Sequence, residues 1–275
     1  MRALISADME GATGVTCPDD CRPGSPQWDR FRRLLTGDVN AVAAGFFAAG
    51  VTEIVVNEAH ASMRNILIED LDPRVRLLTG RHKSLGMMEG AHEHPALVAF
   101  VGYHSAPGTP GILSHTFLGS EITDVRLNGR TMSEGYLNAM LAAEFGIAVA
   151  VVSGDDHTCA DASDYAPSSW RVEVKQAVDR YSAVCRTPAE TAEELERAAR
   201  ESVPAASLSE LPESPYRCEV EFLGTSSAKM ASLVPTVELT SPRRVRFEAA
   251  SIERIYECFI VVSAMAKAAA EAVYG

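Results

Sequence analysis

Hydrophobic residues arrive along the chain in short β-rich runs separated by longer stretches with helical spacing. The first run, Ala3-Leu4-Ile5, predicts a strand over residues 2–8 that leads into a loop rich in Pro, Gly and Asp. "WDRFRRLLTGDVNAVAAGFFAAG" carries its apolar positions at helical period, with Gly50 placed to close the helix. "VTEIVVN", "RVRLL" and "LVAFVGYH" are further β-rich runs bounded by turn residues, with helix-compatible segments in the two gaps between them. Such alternation implies a mostly parallel sheet.

Between Pro107 and Gly129 the texture changes to turns and short strands, and the Asn-Gly of "DVRLNGR" signals a hairpin insertion. "SEGYLNAMLAAEFG" reads as a helix with Ser133 as N-cap and Gly146 as C-cap, followed by the strand "IAVAVVSGD". After about residue 165 the composition shifts to "TPAETAEELERAARESV", a helix with Thr187 as N-cap, Pro188 first and Glu190 third. "YRCEVEFL" and "RRVRFEA" follow as half-buried strands. "SIERIYECFIVVSAMAKAAAEAVY" closes the chain as a helix whose apolar coverage exceeds one stripe, so it is expected to be buried in the fold or against another subunit. The fold class is therefore α/β: a mostly parallel doubly wound sheet with helices on both faces, a hairpin insertion and a smaller α+β C-terminal part. The expected division is an α/β domain over 1–165 and a smaller α+β part over 166–275 that packs on it and offers oligomer contacts.

With 275 residues, 47% of them hydrophobic, and a mean hydropathy near zero, the chain has the make-up of a globular protein. Its 25 Lys and Arg against 37 Asp and Glu give a formal charge of −12, which disfavours a broad surface for nucleic acid or anionic membrane. No stretch reaches the roughly 18–20 uninterrupted apolar residues of a membrane span, and the N-terminus has no basic segment followed by a long apolar one. Six scattered cysteines suit reduced thiols, so a cytoplasmic location is expected. Cys17 and Cys21 in "CPDDC" lack the second close pair that a metal knuckle needs.

In an open α/β sheet, ligands bind beyond the carboxyl ends of the strands. There the sequence places Asp8 and Glu10 after the first strand, Glu58 and His60 after "VTEIVVN", His104 after "LVAFVGYH" and Asp155 after "IAVAVVSGD". Residues two apart in a strand share a face, so Asp8 and Glu10 repel unless a cation lies between them. Glu134, in the first turn of its helix, is a further candidate for the same cleft. Mixed imidazoles and carboxylates suit zinc or a similar transition metal better than magnesium or calcium. Singly, each residue has an ordinary alternative: a helix cap or an arginine partner for the acids, a backbone bond for His60. Five metal-competent side chains from four segments shift the balance towards a metal centre. His115, on the insertion, is placed to act from above as a general acid or base, with an exposed loop histidine as the alternative. His82, His92 and His94 fall in polar stretches, His157 reads as structural, and Lys175 as a surface residue. There is no nucleophile elbow, P-loop or dinucleotide-binding glycine pattern.

Taken together, "ISADMEGATGV", "VNEAHASMRN", "FVGYHSAPGTPGILSHT", "LNGRTMSEGYLNAMLAAEFGI" and "VVSGDDHT" resemble the zinc D-aminopeptidases of the DppA type, in that family's order and spacing. The resemblance implies two zinc ions per subunit, Asp8 bridging both, Glu10 and His60 completing one site, His104 and Glu134 the other, and His115 as the catalytic histidine. It also implies removal of N-terminal D-amino acids, D-alanine above all, from short peptides, and a ring-like homodecamer. Glu58 and Ser133 stand where the family usually has Asp and Gly. The rival readings are a dinuclear hydrolase of another amide or of a phosphoester, and a non-catalytic metal-binding oligomeric scaffold. The lack of a basic cluster beside these motifs weighs against phosphate.

Overall fold

In the computed structural model, which describes residues 1–271, the first strand runs Arg2–Ala7 (β1) and is buried from Ala3 onward. It is followed by Glu53–Glu58 (β2), Arg76–Leu78 (β3), Leu97–Val101 (β4), Ile122–Leu127 (β5) and Arg130–Thr131 (β6). The later strands are Ala148–Asp155 (β7), Trp170–Asp179 (β8), Ser182–Cys185 (β9), Tyr216–Phe222 (β10), Glu238–Ser241 (β11) and Arg244–Ala249 (β12). A seven-stranded sheet has the order β3-β2-β1-β4-β7-β8-β9, parallel throughout except for the antiparallel β9. A separate five-stranded antiparallel sheet has the order β11-β12-β10-β5-β6.

The helices are Pro18–Cys21 (α1), Pro26–Ala48 (α2), Glu134–Glu144 (α3), Asp156–Tyr165 (α4), Pro188–Ser202 (α5), Thr225–Ala231 (α6) and Ile252–Ala269 (α7). Caps fix where several begin. Ser25 accepts from the Trp28 amide, Ser133 from that of Tyr136, and Thr187 with Glu190 closes a capping box. Because side chains alternate along a strand, the parallel sheet feeds two cores. Ile5, Ala99 and Val101 face one way, against Leu35, Val39 and Phe46 of α2 and Leu195 and Ala198 of α5. Leu4, Val98 and Phe100 face the other way, towards Leu137 and Met140 of α3, Tyr256 and Phe259 of α7, and the inner face of the second sheet. The sheet is thus covered on both faces, as a doubly wound α/β fold requires.

Three details differ from the sequence expectation. The gaps flanking β3 hold single 3₁₀ turns, at Ile68–Asp70, Gly86–Met88 and Ala91–Glu93, in place of helices. Gly80, Gly86 and Gly90 adopt positive φ in the gap after β3, and Ala61 and Met63 in the gap before it, which interrupts helical propagation. The two sheets also do not follow the composition change at residue 165. β8 continues the parallel sheet beyond it, while the β5–β6 hairpin, turned by Asn128 and Gly129, joins the antiparallel sheet from before it. The C-terminal helix covers Ile252–Ala269 of the expected 251–274, and Ala272, Val273 and Tyr274 lie outside the described residues.

One buried carboxylate ties three elements together. Asp38 of α2 accepts from the Thr13 amide at 2.9 Å and the Thr13 hydroxyl at 2.8 Å, and that hydroxyl is 3.0 Å from Thr191 on α5. Burial outweighs the two hydrogen bonds and pushes the Asp38 carboxyl up to about 6 from an ordinary 3.8. The folded protein therefore holds this proton more tightly than the unfolded chain, and the stabilisation present below the unfolded pKa is lost as pH rises through about 6. Asp38→Asn should remove the effect. On chelator-treated protein, denaturant titrations should show the variant gaining on wild type by on the order of 3 kcal/mol between pH 4 and pH 7; a pH-independent difference would contradict the assignment.

Candidate metal centre

The strand order reverses between β1 and β4, so the loops leaving these neighbours part to opposite sides and open a crevice at their carboxyl ends. Asp8 and Glu10 leave β1 into that crevice and His104 leaves β4. The loops are held together by backbone. The Asp8 amide bonds Val101 O and the Gly11 amide bonds Gly102 O, both at 2.8 Å. Gly102 has φ +72°, and a Cβ there would fall 2.3 Å from the Asp8 carbonyl oxygen, so a side chain cannot be accommodated. His60 enters after β2, Glu134 opens α3, and His115 lies on the loop between β4 and β5, its amide bonded to Ser105 O at 3.1 Å.

These six side chains converge. His60 Nδ1 is 2.9 Å from Glu10 Oε2 and 3.6 Å from Asp8 Oδ1. His104 Nε2 is 3.4 Å from Asp8 Oδ2 and 3.5 Å from Glu134 Oε2. His115 Nε2 is 3.9 Å from Glu10 Oε1, and its ring stacks on that of His104 at 4.1 Å with 6° between planes. Donor atoms of Asp8, Glu10 and His104 lie within 4.8 Å of one another, as do those of His104, His115 and Glu134.

Each imidazole bonds a main-chain carbonyl through its outer nitrogen: His60 Nε2 to Cys21 O at 2.9 Å, His104 Nδ1 to Ser105 O at 3.2 Å, His115 Nδ1 to Leu113 O at 2.8 Å. A carbonyl only accepts, so the proton of a neutral ring is fixed there and the lone pair faces the carboxylates. That arrangement is the one a metal-ligating histidine needs. Asp8 Oδ2 and Glu10 Oε2 are buried without a hydrogen-bond partner, although imidazole nitrogens stand 3.4 and 2.9 Å away. The atoms are close but not aligned donor to acceptor, which is the geometry of ligands aimed at a common third point. The donor set therefore fits a bound cation.

Without a metal, protons take its place. Burial alone would lower the His60 and His104 imidazoles, but Glu10 and Asp8 facing the first, and Glu134 and Asp8 facing the second, hold both well above the usual histidine range. Burial would raise Asp8, and the same two histidines instead hold it well below the carboxylate range. Metal binding at this centre must accordingly displace protons.

Several residues that shape the centre have no signal in the sequence pattern. Lys175 of β8, expected at the surface, is 1% exposed, and its ammonium donates to the carbonyls of Glu10, Ala12 and Val15 at 2.7, 3.0 and 2.6 Å. Burial lowers this amine to about 8, and its three N–H donors match three carbonyls, so it is an ammonium that clamps the Glu10 loop. Phe117 holds φ +55° and donates its amide to Glu134 Oε1 at 2.7 Å, while Glu134 Oε2 faces His104. Leu113 and Phe117 at positive φ flank His115, and Ala61 and Met63 do the same after His60. Glu58 and Asp155, the other acids that the sequence places at the rim, are already engaged. Glu58 accepts from the Asn65 amide and the Thr79 hydroxyl, and Asp155 from the Ile112 and Thr158 amides. His82, His92 and His94 are exposed, and His157 lies 4.0 Å from Asp156.

A doubly wound sheet that gathers carboxylates and imidazoles at its switch point defines a metallohydrolase. The chain belongs to the Peptidase_M55 family, described as D-aminopeptidase, which it matches over residues 1–261, and is a metallo-aminopeptidase. A D-aminopeptidase of Bacillus subtilis strain 168 is 31% identical over 272 residues, which cover 97% of this chain and 98% of that protein. Among solved structures, the zinc-dependent D-aminopeptidase DppA from Bacillus subtilis, described as a self-compartmentalizing protease, superposes with a TM-score of 0.93 at 28% identity, covering 97% of this chain and 98% of its own.

The Lys175 clamp has a direct test. Lys175→Met keeps the aliphatic length but leaves three buried carbonyls without their donor, which should cost about 2 kcal/mol or more and loosen Glu10. Denaturant unfolding together with zinc titration should show lower stability and weaker binding; wild-type values for both would contradict the clamp.

Proposed function

We propose that this protein is a dinuclear zinc aminopeptidase that removes N-terminal D-amino acids, D-alanine foremost, from short peptides. The observation that carries the reading is that Asp8 presents Oδ1 towards His60 and Oδ2 towards His104, so one carboxylate faces two separate imidazole lone pairs. Asp8 would be shared by two zinc ions, with Glu10 and His60 holding one and His104 and Glu134 the other. Three buried carboxylates carry about the charge that two dications offset. Zinc bound in such a pair supplies Lewis acidity, polarising the scissile carbonyl and lowering the pKa of water.

The chain's own groups do the rest. His115 has 17% of its side chain exposed against 2% for His104, so it is the imidazole of this stacked pair that a substrate can reach. With its Nδ1 proton held by Leu113 O, the Nε2 lone pair is free to take a proton from the nucleophile and return it to the leaving amine. The carbonyl bond keeps the ring from turning between these transfers. A second reading has a specific observation behind it: His115 lies among the donors within 4.8 Å of His104 and Glu134, which would suit a ligand.

The proposal extends to a homo-oligomer, a ring-like decamer by family resemblance, supported by the self-compartmentalizing description of the DppA structure. Six unpaired thiols support a cytoplasmic location.

Elemental analysis of purified, zinc-loaded protein should find two metals per chain, with D-alanyl peptides cleaved and their L-counterparts spared. Fewer than one metal per chain after zinc addition would sink the dinuclear reading, and equal turnover of L-peptides the stereochemical one. Asp8→Ala should empty the centre more completely than Glu10→Ala; equal losses would end the division of roles. His115→Ala should keep its zinc and lose roughly 10²–10⁴-fold in kcat. Loss of metal in that variant would favour the ligand reading, and unchanged hydrolysis would remove His115 from the chemistry.

A further inference from the structure

Directly behind Asp8, His60, His104 and Glu134 runs a chain of buried polar side chains that ligate nothing. Each ligand-bearing segment contributes one. Ser6 precedes Asp8 by two residues on β1, Asn57 precedes His60 by three at the end of β2, Tyr103 is next to His104, and Asn138 lies one turn after Glu134 on α3. All four are fully buried. They meet at the 3₁₀ turn Gly86–Met88, where Met87 O accepts from Ser6 Oγ at 2.6 Å and from Asn57 Nδ2 at 2.7 Å.

Proton directions in this chain follow from its ends. The Ser6 hydrogen is committed to Met87 O, so the Tyr103 hydroxyl must donate to Ser6 Oγ, 2.7 Å away. The Tyr103 oxygen is then free to accept from Asn138 Nδ2 at 2.9 Å. That oxygen joins the β1 side of the crevice to the α3 side. Among the described residues Asn138 has little else to hold it: its other polar contact is Met87 Sδ at 3.4 Å, and its Oδ1 is buried with no hydrogen-bond partner. The Tyr103 ring is seated independently of its hydroxyl, stacked on Phe100 at 4.7 Å and 19°.

We propose that Tyr103 is a positioning residue for the metal centre, its hydroxyl fixing the spacing of His104 and Glu134 by holding Asn138 of α3 against Ser6, which Met87 O already anchors on β1. The inference rests on the dinuclear reading and adds that the two cation sites differ in what supports them. The site of His104 and Glu134 relies on the phenol oxygen in addition to Ser105 O and the Phe117 amide, whereas Glu10 and His60 are held by the Lys175 clamp and by Cys21 O. Partners that orient metal ligands are typically worth 10- to 100-fold in affinity.

Tyr103→Phe keeps the stacked ring and removes the one oxygen. Chelator-stripped full-length protein would be titrated with zinc against a competing chelator dye, with circular dichroism confirming the fold. Wild type should bind two zinc ions, and Tyr103→Phe should weaken one of them about tenfold or more while the other stays within about threefold. Asn138→Ala should weaken the same site, and the double variant should lose little more than the worse single, as expected for one shared link. If Tyr103→Phe fails to fold, Asn138→Ala alone carries the site-selective comparison. Wild-type affinities at both sites, or equal weakening of both, would overturn the role of Tyr103 while leaving the dinuclear reading intact. A wild-type protein that binds no zinc would overturn both.

Discussion

Everything about this molecule turns on the electrostatic problem posed by Asp8, Glu10 and Glu134, three carboxylates brought out of water around the imidazole of His104. Isolated buried anions are too costly to persist, so each must meet a proton or a cation. The three imidazoles could meet them only as imidazolium, and their outer nitrogens are already committed to main-chain carbonyls, which leaves one inward site per ring for either a proton or a metal. The protein has built a set of sites that compete for protons when empty and exchange them for metal when filled.

The fold serves that requirement at several distances. Reversal of strand order between β1 and β4 opens the crevice, and the bare α-carbon of Gly102 lets the two loops touch. Lys175 clamps the loop that carries Glu10, and Asp38 holds Thr13 of the same loop against the α2–α5 layer. Strained backbone at Phe117 aims an amide at Glu134, and the aromatic ring of Phe117 packs on Phe259 of α7 at 4.8 Å, which links the C-terminal helix to the centre. The hairpin insertion joins the same arrangement, since its first strand, β5, pairs with β10 of the second sheet.

Much of this was legible in the sequence because it follows strand ends. Asp8, Glu10, His60 and His104 each stand just beyond a β-rich run, and Glu134 follows a clear N-cap, so periodicity alone placed them near one rim. What escaped was everything set by the third dimension. A lysine in an alternating strand looks like a surface residue until three carbonyls of a distant loop close around it. Ser6, Tyr103 and Asn138 are ordinary members of a strand, a strand-end loop and a helix, and their hydrogen bonds appear only when those elements pack. The segments around β3 had helix-compatible composition but are broken by positive φ, at Ala61 and Met63 before the strand and at glycines after it, and local pattern did not register the break. Composition suggested a change at residue 165, whereas strand pairing crosses it in both directions.

The central claim is that one carboxylate, Asp8, serves two metals. Crystals of zinc-soaked protein measured on either side of the zinc absorption edge test it without recourse to activity. Two anomalous peaks about 3.5–4 Å apart, one on each side of the Asp8 carboxylate, are predicted. A single peak, or a second peak remote from Asp8, would contradict the account.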